Sequence, residues 1–130
     1  MPQNNVLPGI NIQFPISTLI VNGTKAVETR TYKLPDKYIN QEIALIETPG
    51  KEGKFKARVI AVIKFTECYR YKTKKEFYSQ KELHCVDKSS IWAWKDGEKW
   101  GWKVKVIKKI KNPKLAPANR GYVFCKNIEI

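Results

Sequence analysis

The sequence predicts one mainly β domain of the α+β class, built as a small mixed β-barrel, closed or half-closed, of five to six strands with one to three short helices. Several short segments alternate apolar and polar side chains with a period of two, which is typical of strands. The regular alternation of strands and helices that a doubly wound sheet requires is missing. A chain of 130 residues suits a single core, so we expect one domain over residues 1–130.

The first strand is predicted at residues 10–14, after a loose N-terminal segment at residues 1–8. Pro15 suits the first turn of a short helix, because proline lacks the N–H that this turn leaves unused. Asn22 and Gly23 tolerate the left-handed conformation at which a helix ends. A strand over residues 26–32 then follows the helix.

The stretch at residues 23–30 reads GTKAVETR and is the strongest functional candidate in the chain. Glu28 and Arg30 point to the same side, because side chains of a strand alternate between its faces. An exposed pair of this kind contributes only about 0 to 1 kcal/mol and has no functional meaning. If the face lines a pocket, Glu28 must be buried and paired with Lys25 or Arg30, because an unpaired buried carboxylate is costly.

This stretch resembles the signature Gly-x-Lys-x-x-Glu-x-Arg of the ASCH family, a branch of the PUA-like superfold. Gly23, Lys25, Glu28 and Arg30 match every fixed position of that signature. The flanking segments follow in the family's order: residues 11–15, 19–22, 42–46 and 59–65, and the pair Gly101 and Trp102. The resemblance implies a PUA-like fold with a positively charged, nucleotide-sized cavity. Lys25 and Arg30 would hold a phosphate or a base carbonyl there, and Glu28 would accept from an exocyclic amine or orient the cations.

The remaining elements follow from the same periodicities. A buried strand is predicted at residues 42–48, and the most apolar segment, residues 58–66, is predicted as the central strand. Residues 72–85 are predicted as one helix. The final predictions are a turn at Asp96 and Gly97, a strand from Trp100, a proline-containing loop at residues 112–117 and a last strand at residues 121–125.

The net charge of +13 lies almost entirely in the second part of the chain. Residues 1–50 carry four basic and four acidic side chains, whereas residues 51–130 carry 21 basic and eight acidic ones. A lysine-rich stretch of this kind is typical of proteins that bind a phosphate backbone, although a solvated surface is the alternative. The predicted backbone-binding residues are Lys99, Lys103, Lys105, Lys108, Lys109 and Lys111. Lys103 and Lys105 share the wet face of their strand, so we expect both to contact the backbone.

Four tryptophans lie within eleven residues of this basic region. Trp102 shares a strand face with Val104 and Val106 and is predicted to be core. Trp92 and Trp94 could stack on a base, in a pocket or at the surface, or form a cage around it, with a place in the core as the alternative. The predicted nucleotide-binding set is therefore Gly23, Lys25, Glu28, Arg30, Trp92 and Trp94.

Other classes of site receive little support. His84 and the three cysteines lack the spacing of a zinc site, so no metal and no cofactor is predicted. His84 is predicted to be a surface residue at a helix end, with a general base as the alternative. No long apolar run and no signal-like start is present, which predicts a cytoplasmic protein that does not bind membranes.

The function predicted is binding of RNA or another nucleic acid. The alternatives are a small nucleoside- or nucleic-acid-processing enzyme and a protein-interaction domain, and no oligomeric state is predicted. Some ASCH-like proteins resemble amidohydrolases that act on acylated cytidine through the motif lysine and a threonine three residues later, and ribonuclease activity has been suggested for others. Lys25 matches the lysine, but Glu28 replaces the threonine. Lys25 and Glu28 are the catalytic candidates if the protein is an enzyme.

Overall fold

In a computed structural model the chain forms one mixed β-sheet with short helices packed at its edges. The structure describes residues 6–95, 99–117 and 123–130. The described strands are β1 (Val6–Gln13), β2 (Val27–Arg30), β3 (Glu42–Thr48), β4 (Arg58–Tyr71), β5 (Lys99–Leu115) and β6 (Phe124–Glu129). The described helices are α1 (Ile16–Val21), α2 (Lys74–Ser79) and α3 (Lys81–His84), and a single 3-10 turn spans Asp36–Tyr38.

The six strands lie in the order β2-β5-β4-β3-β1-β6. β1 and β3 run parallel, and the other neighbours are antiparallel. The prediction of a mainly β, α+β domain of five to six strands with one to three short helices is confirmed, as is the position of β4 inside the sheet. β2 and β6 form the two edges of the sheet, and within the described residues they do not pair with each other. The sheet is therefore open and does not form a closed barrel.

Both faces of the sheet are covered, which explains why β3 reads as a continuous apolar run. Ile43 and Leu45 contribute to the larger core, which also holds Trp102. Ala44 and Ile46 point to the other face, where they form a smaller core that includes Ile128 of β6. A strand that is buried on both faces carries apolar side chains at successive positions, so its sequence does not alternate between apolar and polar residues.

The first and last strands differ from their predicted limits because they pair with each other. β1 begins at Val6 and not at residue 10, since Val6 and Leu7 pair with Glu129 and Ile128 of β6. The prediction that residues 1–8 are loose is therefore wrong for residues 6–8, and its residues 1–5 lie outside the described part of the chain. β6 starts at Phe124, later than the predicted residue 121. Residues 121–122, like the predicted turn at Asp96 and Gly97, are not described.

The segment predicted as one helix over residues 72–85 is two short helices that meet at Gln80. Thr73 caps α2, and its hydroxyl accepts from the Glu76 N–H at 3.1 Å. The side-chain oxygen of Gln80 accepts from the hydroxyls of Tyr69 and Tyr71 at 2.7 and 2.5 Å. These bonds tie the junction of α2 and α3 to the end of β4.

β5 continues through the proline-containing segment that the sequence predicts as a loop at residues 112–117. Val59 of β4 pairs with Lys114, whereas Ala61 pairs with Lys109, so residues 110–113 of β5 bulge out of the ladder. Pro113 lies in this irregularity, where its missing N–H breaks no ladder bond. The loop prediction is wrong as far as Leu115, where the strand ends.

A buried polar network that the sequence did not predict fastens α1 to the sheet. Glu47 of β3 is 3% exposed and accepts from the Ser17 hydroxyl at 2.6 Å and from the Thr18 hydroxyl at 3.3 Å. Its other oxygen accepts two bonds from Arg58, from Nε at 3.1 Å and Nη2 at 3.0 Å. The carboxylate therefore links the start of α1 to Arg58 of β4.

Replacing Ser17 with Ala is expected to lower the free energy of unfolding by about 1 to 2 kcal/mol, because a buried carboxylate loses a short hydrogen bond. Thr18→Ala is the matched control on the same helix, since Thr18 is exposed and its bond to Glu47 is longer. Its change should stay within about 0.5 kcal/mol. Urea denaturation of both variants measures the difference, and equal losses would show that the Ser17 bond does not hold the helix.

Candidate nucleotide-binding site

The motif strand β2 is held on three sides. Gly23 has a φ of +85°, which lets the chain turn sharply after α1. The Lys25 N–H donates to the Leu19 carbonyl at 2.9 Å, and the Ala26 N–H donates to the Leu83 carbonyl at 2.8 Å. β2 then pairs with β5, with Glu28 opposite Trp102. The motif therefore joins α1, α3 and the sheet.

Glu28 lies at the centre of a buried group of charges, as the sequence predicts. It is 6% exposed, and its Oε2 accepts from Arg30 Nη2 at 2.9 Å. The Nζ of Lys25 lies 3.8 Å from Oε1 of Glu28 and also donates to the His84 carbonyl. The prediction that Glu28 is buried and paired with Lys25 or Arg30 is confirmed, and the exposed-ladder interpretation is wrong.

Lys25 is itself only 4% exposed, and this burial lowers its pKa, while the charge of Glu28 opposes the shift. Lys99 is also buried, and its Nζ donates to the Trp92 carbonyl at 3.0 Å. Burial lowers the pKa of Lys99 too, and its charge interacts with those of Glu28 and Lys25. With Arg30, three cations surround one carboxylate, so the group carries a net positive charge when the lysines are protonated.

Arg30 connects this charged group to the core. Its guanidinium carbon lies 5.6 Å from the centre of the Trp102 ring, and its Nη2 donates to Glu28. A cation over an indole face is attracted by the electrons of the ring. Arg30 is thus fixed from two sides, and 21% of its side chain stays exposed.

Lys25, Glu28 and Arg30 line a cavity of about 620 Å³. This volume lies within the range of about 300 to 1,000 Å³ that is usual for small-molecule sites. The motif supplies one wall through Lys25, Glu28, Thr29 and Arg30, and Trp92 supplies part of another. The remaining lining residues are Asn11, Ile12, Gln13, Phe14, Pro15, Ile16, Leu19, Thr48, Lys51, Glu52, His84, Cys85, Val86, Ser90 and Ile91.

Sequence reasoning missed the wall that faces the motif. The end of β1 and the start of α1 form it, and the only earlier signal was that residues 11–15 flank the motif in the ASCH resemblance. No residue of that wall was assigned a role. Two charged residues at its rim, Lys51 and Glu52, come from the β3–β4 connection, and nothing local in the sequence links them to residues 23–30.

The structure separates the two tryptophans that the sequence treats as a pair. Trp92 lines the cavity and is 49% exposed, so its ring is available for stacking. Trp94 packs against Phe77, with ring centres 5.7 Å apart, in a satellite core below the site. Trp102 is 0% exposed, which confirms its prediction as core.

His84 is buried, so the prediction of a surface histidine is wrong. Its Nε2 lies 2.7 Å from the Phe77 carbonyl, and its Nδ1 accepts from the Val86 N–H at 3.0 Å. This pattern suits a neutral ring with the proton on Nε2, and burial lowers the pKa of His84 accordingly. Both ring nitrogens serve the backbone around α3, so His84 has a structural role and is not placed to act as a general base.

The predicted backbone-binding lysines fall into two groups. Lys103, Lys105, Lys108, Lys109 and Lys111 are exposed along β5. Lys99 lies apart from them, buried beside the cavity. The exposed lysines thus form a basic strand that starts next to the motif strand.

The described residues offer neither a metal-binding cluster nor a membrane-spanning helix. No cluster of three His, Cys, Asp or Glu side chains that could hold a metal ion occurs among them. None of the described helices has the length and apolar character needed to cross a membrane. None of the three cysteines forms a disulfide bond.

The chain matches no model of a known protein family and no curated protein. Its fold is similar to crystal structures of the ZmASCH protein of Zymomonas mobilis. A Tyr-to-Phe variant of that protein gives a TM-score of 0.61 at 14% identity, over 83% of this chain and 74% of the other. A Ser-to-Ala variant gives 0.63 at 17% identity, over 88% and 77%. The likeness confirms an ASCH-like fold, as the motif at residues 23–30 led us to expect.

Proposed function

We propose that this chain, which has an ASCH-like fold, binds single-stranded RNA and takes one of its nucleotides into the cavity at the motif. The main support is the cavity itself, which combines the buried carboxylate of Glu28, the buried ammonium of Lys25, the partly exposed guanidinium of Arg30 and a half-exposed indole. A nucleotide offers a partner for each of these groups. Its phosphate is anionic, its base has carbonyl and amine groups, and the faces of the base stack on aromatic rings.

The charges of the cavity assign the individual roles. Lys25 and Arg30 bind a phosphate or a base carbonyl, because both are donors only and line the same wall. Glu28 is an acceptor when ionised, so it selects an exocyclic amine and holds the two cations in place. Trp92 stacks on the base from the opposite side. Some of the exposed lysines of β5 attract the backbone beside the bound nucleotide.

The affinity for single-stranded RNA is expected to fall steeply with salt. Each neutralised phosphate releases counterions, which gives a slope of about −0.7 per contact in a plot of log affinity against log salt. About three to five contacts would give a slope of roughly −2 to −3.5. Fluorescence anisotropy with a labelled oligocytidylate, whose bases carry an exocyclic amine, measures this slope at several salt concentrations. A salt-independent affinity, or no binding at low salt, would contradict the proposal.

The identity of the bound nucleotide is tested directly with a panel of the four ribonucleoside monophosphates. We expect shifts in the NMR signals of the Trp92 indole and of the amides around residues 25–30, strongest for a base with an exocyclic amine. A matched panel of nucleosides without phosphate shows how much the anion contributes. Shifts confined to the lysines of β5 would contradict binding in the cavity.

One observation favours an enzyme as a second candidate function. Burial lowers the pKa of Lys25, which raises the fraction of neutral amine available as a base or nucleophile. Glu28 stands where a threonine would be needed for the amidohydrolase chemistry that the resemblance implies. We therefore expect binding without turnover when acylated cytidine or single-stranded RNA is incubated with the protein. Product formation that is lost in Lys25→Ala would establish the enzyme instead.

The three cysteines, none of which forms a disulfide bond, fit the cytoplasmic location that we propose for either function.

A further inference from the structure

A second depression, of about 520 Å³, lies between α1 and β5 and is called the α1–β5 groove. It is shallower than the cavity and shares Lys25 with it. The other residues that line it are Ile20, Val21, Asn22, Gly23, Ala26, Val104, Val106, Ile107, Lys108 and Lys109. The cavity and the groove therefore adjoin along one residue of the motif.

Lys25 lies at the boundary, because its neighbours in the motif line different depressions. Gly23 and Ala26 line the groove, whereas Glu28 lines the cavity. The ammonium group of Lys25 donates to the His84 carbonyl and faces Glu28, inside the cavity. Apart from its two chain neighbours, no described residue has a heavy atom within 4 Å of the position that a Cβ of Gly23 would occupy. A chain that passes over Lys25 meets no bulky side chain at Gly23.

The lining of the groove suits a sugar–phosphate backbone. Lys108 and Lys109 supply two cations, and Asn22 supplies an amide. No acidic residue and no aromatic residue occurs among the described residues that line it, so nothing there repels a phosphate or stacks on a base. Contacts of this kind position a strand and carry no sequence information.

The β-ladder shifts register beside this pair of lysines. Ile63 of β4 pairs with Val106, but Val62 pairs with Lys108, so Ile107 is an extra residue in β5. A bulge of this kind bends its strand and increases the local twist. Lys108 and Lys109 follow the bulge directly, and both line the groove.

The other exposed lysines of β5 lie elsewhere. Lys103 lines a different depression, together with Glu67 and Tyr69. Lys105 stands opposite Lys64 in the ladder with β4. Neither residue lines the cavity or the α1–β5 groove, so the strand carries two separate sets of cations.

We infer that a bound RNA strand leaves the cavity over Lys25 and follows the α1–β5 groove, where Lys108 and Lys109 hold its phosphates. This inference rests on the proposed function, because it takes the cavity to hold one nucleotide of the strand. It narrows the expectation from sequence to two of its six backbone-binding lysines, because that expectation also included Lys99, Lys103, Lys105 and Lys111. Specificity then comes from the cavity, and the groove adds affinity that depends on strand length and salt.

The test compares two double variants with the same change in charge, Lys108→Ala/Lys109→Ala and Lys103→Ala/Lys105→Ala. Binding of an oligocytidylate that is long enough to span both depressions is measured against salt. Cytidine 5′-monophosphate serves as the short ligand, because its base carries an exocyclic amine for Glu28. For the groove variant we expect the oligonucleotide slope to weaken by about 1.4, which corresponds to two lost contacts. For the control we expect the wild-type slope, and for the monophosphate we expect unchanged affinity in both variants.

The possible results test the inferred path of the RNA strand separately from the proposed binding of RNA. If the wild-type chain binds the oligonucleotide but the control loses as much slope as the groove variant, the path is wrong and the function stands. If the groove variant also loses monophosphate binding, the two depressions are one site and the path is wrong. If the wild-type chain binds neither ligand, the proposed function itself fails. All four lysines are exposed, so matching thermal melts are expected to confirm folding of both variants.

Discussion

Replacing Glu28 with Gln is expected to weaken binding of single-stranded RNA by about 10- to 100-fold, which corresponds to about 1.5 to 3 kcal/mol for a bond to a charged group. The amide keeps the shape of the side chain but turns one acceptor oxygen into a donor. That donor would face the Lys25 ammonium, which lies 3.8 Å from Oε1. The amine of a bound base would lose its charged acceptor, and Lys25 and Arg30 would lose the group that orients them.

The melting temperature of Glu28→Gln should fall by only a few degrees, at about 4 °C per kcal/mol for a domain of this size. Arg30 is partly exposed to water, and Lys25 keeps its bond to the His84 carbonyl. The matched control is Glu52→Gln, an exposed acid at the rim of the same cavity. Removing that charge from a basic protein should leave RNA affinity unchanged or raise it. If Glu28→Gln raises the affinity as well, Glu28 does not act as an acceptor for the ligand.

Trp102→Ala is expected to lower the free energy of unfolding by about 3 to 5 kcal/mol. The indole is fully buried and packs edge-on against Phe65, with ring centres 5.4 Å apart. It also lies under the Arg30 guanidinium and opposite Glu28 in the ladder between β2 and β5. Its loss would leave a large void and free Arg30 to move, so RNA binding should weaken even where the variant is folded.

Trp102→Phe is the control for this substitution, because it keeps an aromatic ring in the core. The Nε1 of Trp102 is buried without a hydrogen-bond partner among the described residues, so its removal leaves no acceptor unsatisfied. We expect a loss of about 1 to 2 kcal/mol for Phe, measured by urea denaturation beside the alanine variant. Equal losses for the two variants would contradict the view that ring packing at this position stabilises the fold.

Much of the site could be predicted from local patterns. The period of two places Glu28 and Arg30 on one side of a strand, and it places Trp102 with the apolar side chains of β5. These predictions succeed because backbone geometry alone decides which neighbours along a strand share a face. A buried carboxylate must also be paired with a cation. Lys25 and Arg30 lie within three residues of Glu28, so its partners could be predicted from the local sequence.

Other predictions failed where distant segments decide the environment of a residue. His84 was predicted at the surface, but Phe77 and Val86 bury it through contacts that depend on the break between α2 and α3. The lysines of β5 look alike in sequence, yet Lys99 is buried beside Trp92 while Lys108 and Lys109 line a groove. One inserted residue in the ladder, at Ile107, separates lysines that periodicity alone would group together.

By itself, the sequence determined the class of the fold, the charge asymmetry and the motif whose glutamate must be buried with cations beside it. Those properties depend on residue type and on spacing along a few residues, which the backbone converts directly into shared faces and turns. Only the tertiary structure decided where the cavity lies, that Trp92 and not Trp94 lines it, and that Lys25 divides it from the α1–β5 groove. These features depend on pairings such as that of β1 with β6, which join residues far apart in the chain. No local periodicity records such a pairing, because the free energy that fixes it comes from burial shared by both segments.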